Sequence, residues 1–166
     1  MNQRTSFRIA ILALGLYVFG ADAESTQRIV VSIPDRKLTL LQDGREMGTW
    51  DIAVGKPSTP SPEGMMTVVN RVKNPTWFGP GGKVVGPGIT NPVGTRWIGL
   101  SRKGYGIHGT NEPASIGKAA SHGCIRMRNR DVEQLFELIE TGAVVYFMPG
   151  GYGLQPVRSS AARQGI

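Results

Sequence analysis

The chain has 166 residues, of which 40% are apolar and 19% charged, enough for one core and too little for a second large domain. Its 23 glycines and 11 prolines favour short strands joined by turns over a bundle of long helices. The net charge is +7. The single cysteine excludes an intramolecular disulfide framework and a multi-cysteine zinc cage, and no apolar run is long enough to span a membrane.

Arg4 and Arg8 precede an apolar stretch from Ile9 to Gly20, which is followed by Ala21-Asp22-Ala23. A basic start, a short apolar segment and a small-x-small site form the pattern of a secretory signal peptide, so residues 1–23 are predicted to be removed on export. Residues 24–148 are then expected to form the folded domain. Residues 149–166, which carry Gly150, Gly151, Gly153 and a Ser-Ser-Ala-Ala stretch, are expected to form a flexible tail. The basic residues are scattered. Their closest grouping, Arg126, Arg128 and Arg130, is not the dense run of a nucleic-acid patch, so no nucleic-acid partner is expected.

Strands are predicted over Arg28–Ile33 and Lys37–Gln42, with Asp43-Gly44 as a two-residue hairpin turn of the positive-φ kind. The partner strand runs from Arg45 to Val54, with Trp50, Ile52 and Val54 alternating on one face. Gly55–Gly64, with Pro57, Pro60 and Pro62, reads as a loop, and Met65–Val72 as a strand. Asn74–Pro92 is dense in proline and glycine and reads as a long irregular excursion. Its Trp77 and Phe78 suit either a substrate groove or packing on the core. Strands return at Thr95–Leu100 and Tyr105–His108, and a short helix is expected at Ser115–Ala120. Asn129–Glu140 is the one long helix, with Val132, Leu135, Phe136 and Ile139 on one face and Gly142 as its C′ residue. A buried strand, Ala143–Phe147, closes the domain.

The only cysteine and both histidines lie within 17 residues, in Ile107-His108-Gly109-Thr110-Asn111 and Ser121-His122-Gly123-Cys124-Ile125-Arg126. A thiol is mostly protonated at neutral pH and needs a base or a cation beside it to become a good nucleophile. His122 is close in sequence, whereas His108 must be delivered by the fold. Gly123 allows a sharp turn that presents a backbone N–H to a substrate carbonyl. Arg126 can hold a substrate carboxylate, although an ordinary ion pair is the simpler use of such a residue. A buried inert thiol is the bland alternative. A zinc site formed by His108, His122 and Cys124 is a further one, with Glu112 as its general base, but His-x-Cys spacing is unusual for zinc. The grouping favours cysteine catalysis with no metal and no cofactor.

These two segments resemble the active-site signature of the L,D-transpeptidase catalytic domain, the YkuD family. The likeness extends to Val54-Gly55-Lys56, Asn74-Pro75-Thr76-Trp77, Asn91-Pro92-Val93-Gly94-Thr95-Arg96-Trp97 and Tyr105-Gly106, and covers about Arg28 to Met148. It implies a mostly β fold, a curved mixed β-sandwich with one main α-helix and the cysteine at the end of a groove. It also implies acyl transfer on peptidoglycan stem tetrapeptides through a thioester, in the periplasm or cell envelope. By motif, Cys124 is the nucleophile and His108 the base, oriented by the Gly109 carbonyl, with the N–H groups of Gly123 and Cys124 as oxyanion hole. Ser121, His122, Arg126, Asn111 and Trp97 fall at substrate-side positions. The acceptor is left open: a neighbouring diaminopimelate for a 3–3 cross-link, an envelope lipoprotein, or water, which would make the enzyme a carboxypeptidase or hydrolase. A non-catalytic wall-binding module is the reading from another class. Where relatives often carry threonine between two prolines, this chain has Ser61, which leaves substrate preference open.

Overall fold

The computed structural model describes residues 26–150. The predicted signal segment and nearly all of the predicted tail lie outside them.

The chain opens as expected. Strands β1 (Gln27–Ser32) and β2 (Lys37–Gln42) pair antiparallel, and Asp43 and Gly44, both at positive φ, turn the chain into β3 (Arg45–Asp51). The predicted strand to Val54 breaks after Asp51. Ile52 and Ala53 are both fully buried, so strict alternation ends there, and Ala53 bridges to Arg126 instead. Val54–Gly55 forms a short β4.

Strand β5 (Gly64–Lys73) is the hinge of the architecture. Its first half pairs with β12 (Val144–Met148) and its second half with β8 (Arg96–Leu100), with a register shift between Val68 and Asn70. The main sheet therefore runs β11-β9-β8-β5-β12-β1-β2-β3, where β9 is Gly106–His108 and β11 is Ile125–Arg126. Pairing is mixed: β1 with β12 and β9 with β11 are parallel, the rest antiparallel. The curl lets both halves supply one cluster, from Ile29, Leu38, Val145 and Phe147 on one side to Ile98, Ile107 and Ile125 on the other. Helix α1 (Asn129–Leu138) buries Val132, Leu135 and Phe136 in the same cluster. This is the mostly β, curved mixed architecture with one helix that the sequence predicts.

Three expectations are corrected. The segment 115–120 is not helical: Pro113–Ser115 makes one 3₁₀ turn, Gly117 adopts φ +84°, and β10 (Ala119–Ser121) then pairs parallel with β4. The left-handed glycine ends any helix there. Gly142 is not the helix C′ residue, because α1 ends at Leu138 with Ile139 as C-cap. Its N–H goes to Val68 O in the turn leading to β12. The excursion 74–92 is also less irregular than its composition suggests. Trp77–Phe78 (β6) and Val84–Val85 (β7) form a small hairpin. The fully buried Asn91 ties the loop down: its amide donates to Pro75 O (2.7 Å) and Gly86 O (3.0 Å), and its Oδ1 accepts from Val93 N (2.9 Å).

Candidate active site

In the parallel pair β9–β11, Ile107 lies opposite Ile125 and His108 opposite Arg126. Ile107 and Ile125 are fully buried in the core, so alternation turns His108, Arg126 and, two residues earlier, Cys124 to the other face. That face forms a wall of a cleft of about 740 Å³. Cys124, His108, His122 and Arg126 line it on the polar side, and Val72, Pro75, Trp77, Phe78 and Val93 on the apolar side. Trp77 and Phe78 thus serve the groove, Phe78 with 76% of its surface exposed.

His108 is held from two directions. Across β8–β9 it pairs with Trp97, whose ring lies stacked at 5.6 Å and 19°. Its Nδ1–H donates to Gly109 O at 2.6 Å. A carbonyl can only accept, so the proton sits on Nδ1 and the lone pair on Nε2, the tautomer a general base needs. Burial lowers the His108 pKa to about 4; the hydrogen bond to Gly109 opposes that shift and the charge on Arg126 adds to it. Burial likewise pushes the Cys124 thiol up, against the Gly106 backbone and Arg126. Cys124 Sγ donates to Gly104 O at 3.4 Å. At neutral pH the resting pair is therefore a neutral thiol and a neutral imidazole. The sulfur is not ionised in advance by the ring.

The turn before Cys124 is built by glycine and two serines. Gly123 sits at φ +114°, where a side chain is strained, and an added Cβ would stand 3.0 Å from the Tyr105 ring. Its N–H donates to Ser121 Oγ (3.0 Å), and that hydroxyl donates to Cys124 O (2.5 Å). The expectation that the Gly123 N–H faces a substrate carbonyl is corrected: the Ser121 hydroxyl lies under the turn and takes it. Ser121 lines the cleft but is 1% exposed, and its hydroxyl is engaged by the turn on both sides. Asn111 is not among the cleft residues, and its amide donates to Thr90 O outside it (3.0 Å). Arg126 lies in the cleft but is paired with Glu112 at 2.9 Å. Arg128 and Arg130 are paired as well, with Asp51 and Asp131. Among the described residues, no three His, Cys, Asp or Glu side chains converge as a metal-binding group.

Two residues, Ser61 and Asn129, contribute in ways that the sequence reading did not assign to them. Ser61, 6% exposed in the Pro-rich loop, accepts from Gly55 N (2.8 Å) and donates to Gly123 O (3.0 Å), clamping the cysteine turn. Asn129 bonds Thr95 N and Thr110 N beside the His108 strand. A buried serine between two prolines is the faint signal for the first; the second carries none.

Residues 26–147 match the family model described as the L,D-transpeptidase catalytic domain, YkuD. A Bacillus licheniformis protein carrying the name L,D-transpeptidase YkuD is 46% identical over 122 residues, covering 74% of this chain and 66% of that protein. Its Bacillus subtilis namesake is 47% identical over 117 residues, covering 70% and 63%. The chain thus spans just under two thirds of these relatives' length. The solved Enterococcus faecium L,D-transpeptidase superposes with a TM-score of 0.63 at 28% identity, covering 74% of this chain and 50% of that one.

Proposed function

The chain belongs to the L,D-transpeptidase catalytic domain family, and on that premise we propose that it is a cysteine acyltransferase acting on peptidoglycan stem tetrapeptides outside the inner membrane. What carries the reading is that Cys124 and a tautomer-locked His108 line the same cleft. The predicted export of the chain and the wall as its site of action agree with each other.

Cys124 Sγ attacks the carbonyl of the donor's third residue, diaminopimelate, at its bond to the terminal D-Ala. As the S–C bond forms, His108 Nε2 takes the thiol proton. The oxyanion is held by the Cys124 N–H, since the Gly123 N–H is engaged by Ser121. His108 gives its proton to the departing amine, the C–N bond breaks, and a thioester remains. An incoming amine then attacks the thioester, His108 accepts its proton and returns it to the sulfur, and a new amide is released. The amine belongs to a second diaminopimelate or to a lysine of an envelope protein; water in its place gives the hydrolytic reaction. Arg126 offers its guanidinium to a donor carboxylate once Glu112 yields it.

The test uses the purified protein with defined tetrapeptides and, separately, a carbapenem as acylating probe. Intact mass should show an adduct at Cys124 that Cys124→Ala lacks while keeping its fold. Turnover unchanged in that variant removes the proposal. Release to water in the presence of abundant amine assigns the hydrolytic form, and binding to peptidoglycan with no adduct leaves only a wall-binding module.

A further inference from the structure

The catalytic base is supported by one peptide plane that is gripped at both edges. His108 Nδ1–H donates to Gly109 O at 2.6 Å, and the N–H of that same peptide, Thr110 N–H, donates to Asn129 Oδ1 at 3.1 Å. In a trans peptide the C=O and N–H point in opposite directions, so His108 and Asn129 hold opposite edges of one rigid unit. Drawing the N–H toward an acceptor polarises the carbonyl and strengthens the bond it accepts.

The surroundings are shaped for this amide. Asn129 Oδ1 also accepts from Thr95 N at 3.3 Å, so the loops before β8 and after β9 are tied to one atom. A Cβ on Gly94 or on Gly109 would stand 2.1 Å from that oxygen, and Gly94 adopts φ +62°. Only glycine at both positions admits the side chain. Asn129 is the first residue of α1, whose Val132, Leu135 and Phe136 anchor it in the core, and it follows Cys124 by five residues. One short segment thus carries both the nucleophile and the support of its base.

We propose that Asn129 is a positioning residue for the general base: through the Gly109–Thr110 peptide it holds His108 in the Nδ1–H tautomer and orients its ring. This rests on the reading of His108 as base. It contacts neither substrate nor sulfur in this role, and its effect passes through His108.

The test compares the unmodified protein with Asn129→Leu, which keeps the size and removes the acceptor, and Asn129→Asp, which keeps an acceptor. Three quantities are read: the His108 tautomer by ¹⁵N NMR, the rate of Cys124 acylation by a carbapenem, and the thermal midpoint. In a folded leucine variant the Nε2–H tautomer should appear and acylation should fall by about tenfold or more, a part of the roughly 10²–10⁴-fold that a general base contributes. The aspartate variant should keep the Nδ1–H tautomer, move that proton's resonance downfield and acylate within a few-fold of the parent. A folded leucine variant with the parent's tautomer and rate overturns the proposal. If leucine prevents folding, the aspartate variant decides: a lost tautomer or an unmoved Nδ1–H resonance overturns it. His108→Gln separates the premise. If that variant acylates at the parent rate, His108 is not the base, whereas the tautomer response to Asn129 is read independently of that result.

Discussion

Replacing His108 with glutamine should flatten the pH dependence of stability between pH 7.5 and 5. The imidazole is 5% exposed and its pKa is lowered to about 4 from an ordinary 6.5, chiefly because burial disfavours the charged ring. In the unfolded chain the ring binds a proton as pH falls through 6.5, whereas the folded protein refuses one until near 4. Unfolding therefore takes up a proton across this window, and stability contributed by the neutral ring is full above 6.5 and lost as pH falls. Integrating one such site from pH 7.5 to 5 gives a loss of about 2 kcal/mol, a sizeable part of a small domain's stability. Glutamine cannot take up the proton, so urea unfolding followed by tryptophan fluorescence should show the parent losing about 2 kcal/mol more than the variant over that range. Other ionisable groups cancel in the difference. Equal losses in both proteins would mean that water reaches the ring and that the neutral-pair mechanism lacks its foundation.

The acylation rate of Cys124 by a carbapenem should be flat from about pH 5.5 to 8, because His108 is already neutral and the thiol still protonated throughout. An inflection near 6.5 in stopped-flow measurements would contradict this. Ser61→Ala leaves Gly55 N–H and Gly123 O without their partner, so unfolding should cost about 1–3 kcal/mol less and acylation should slow as the cysteine turn loosens; a variant of parental stability and rate would show the clamp to be idle. Glu112→Gln removes the carboxylate that holds Arg126 at 2.9 Å, so the KM for a donor with a free carboxylate should fall several-fold with kcat little changed. An unaltered KM would exclude Arg126 from carboxylate binding.

Local signals were enough for much of the fold. The Asp43-Gly44 turn, the Val-Ile-Leu strands and the apolar face Val132-Leu135-Phe136 each carry their own periodicity or turn chemistry, and each formed where expected. The failures share a cause. Ser115–Ala120 contains helix-compatible residues, but a left-handed Gly117 stops any helix and Ala119–Ser121 pairs with β4 instead. The hairpin at Trp77 and Val85 was hidden by proline and glycine, because the atoms that order it belong to Asn91, and a buried asparagine looks like any other in a sequence.

The chemistry divides along the same line. The residue types and spacing in His108-Gly109-Thr110 and Ser121-His122-Gly123-Cys124-Ile125-Arg126 are written in one dimension, and they name the family and single out the thiol and imidazole of the candidate site. Roles that depend on where a donor's partner lies are not. Gly123 N–H turns to Ser121, Asn111 turns to Thr90, Arg126 meets Glu112, and Asn129 reaches across to Thr110. Composition and period fix what each segment buries, because burial follows from the side chains themselves. Which hydrogen-bonding group faces which, and hence the protonation state of the pair, is settled only when distant strands and the helix come together and exclude water.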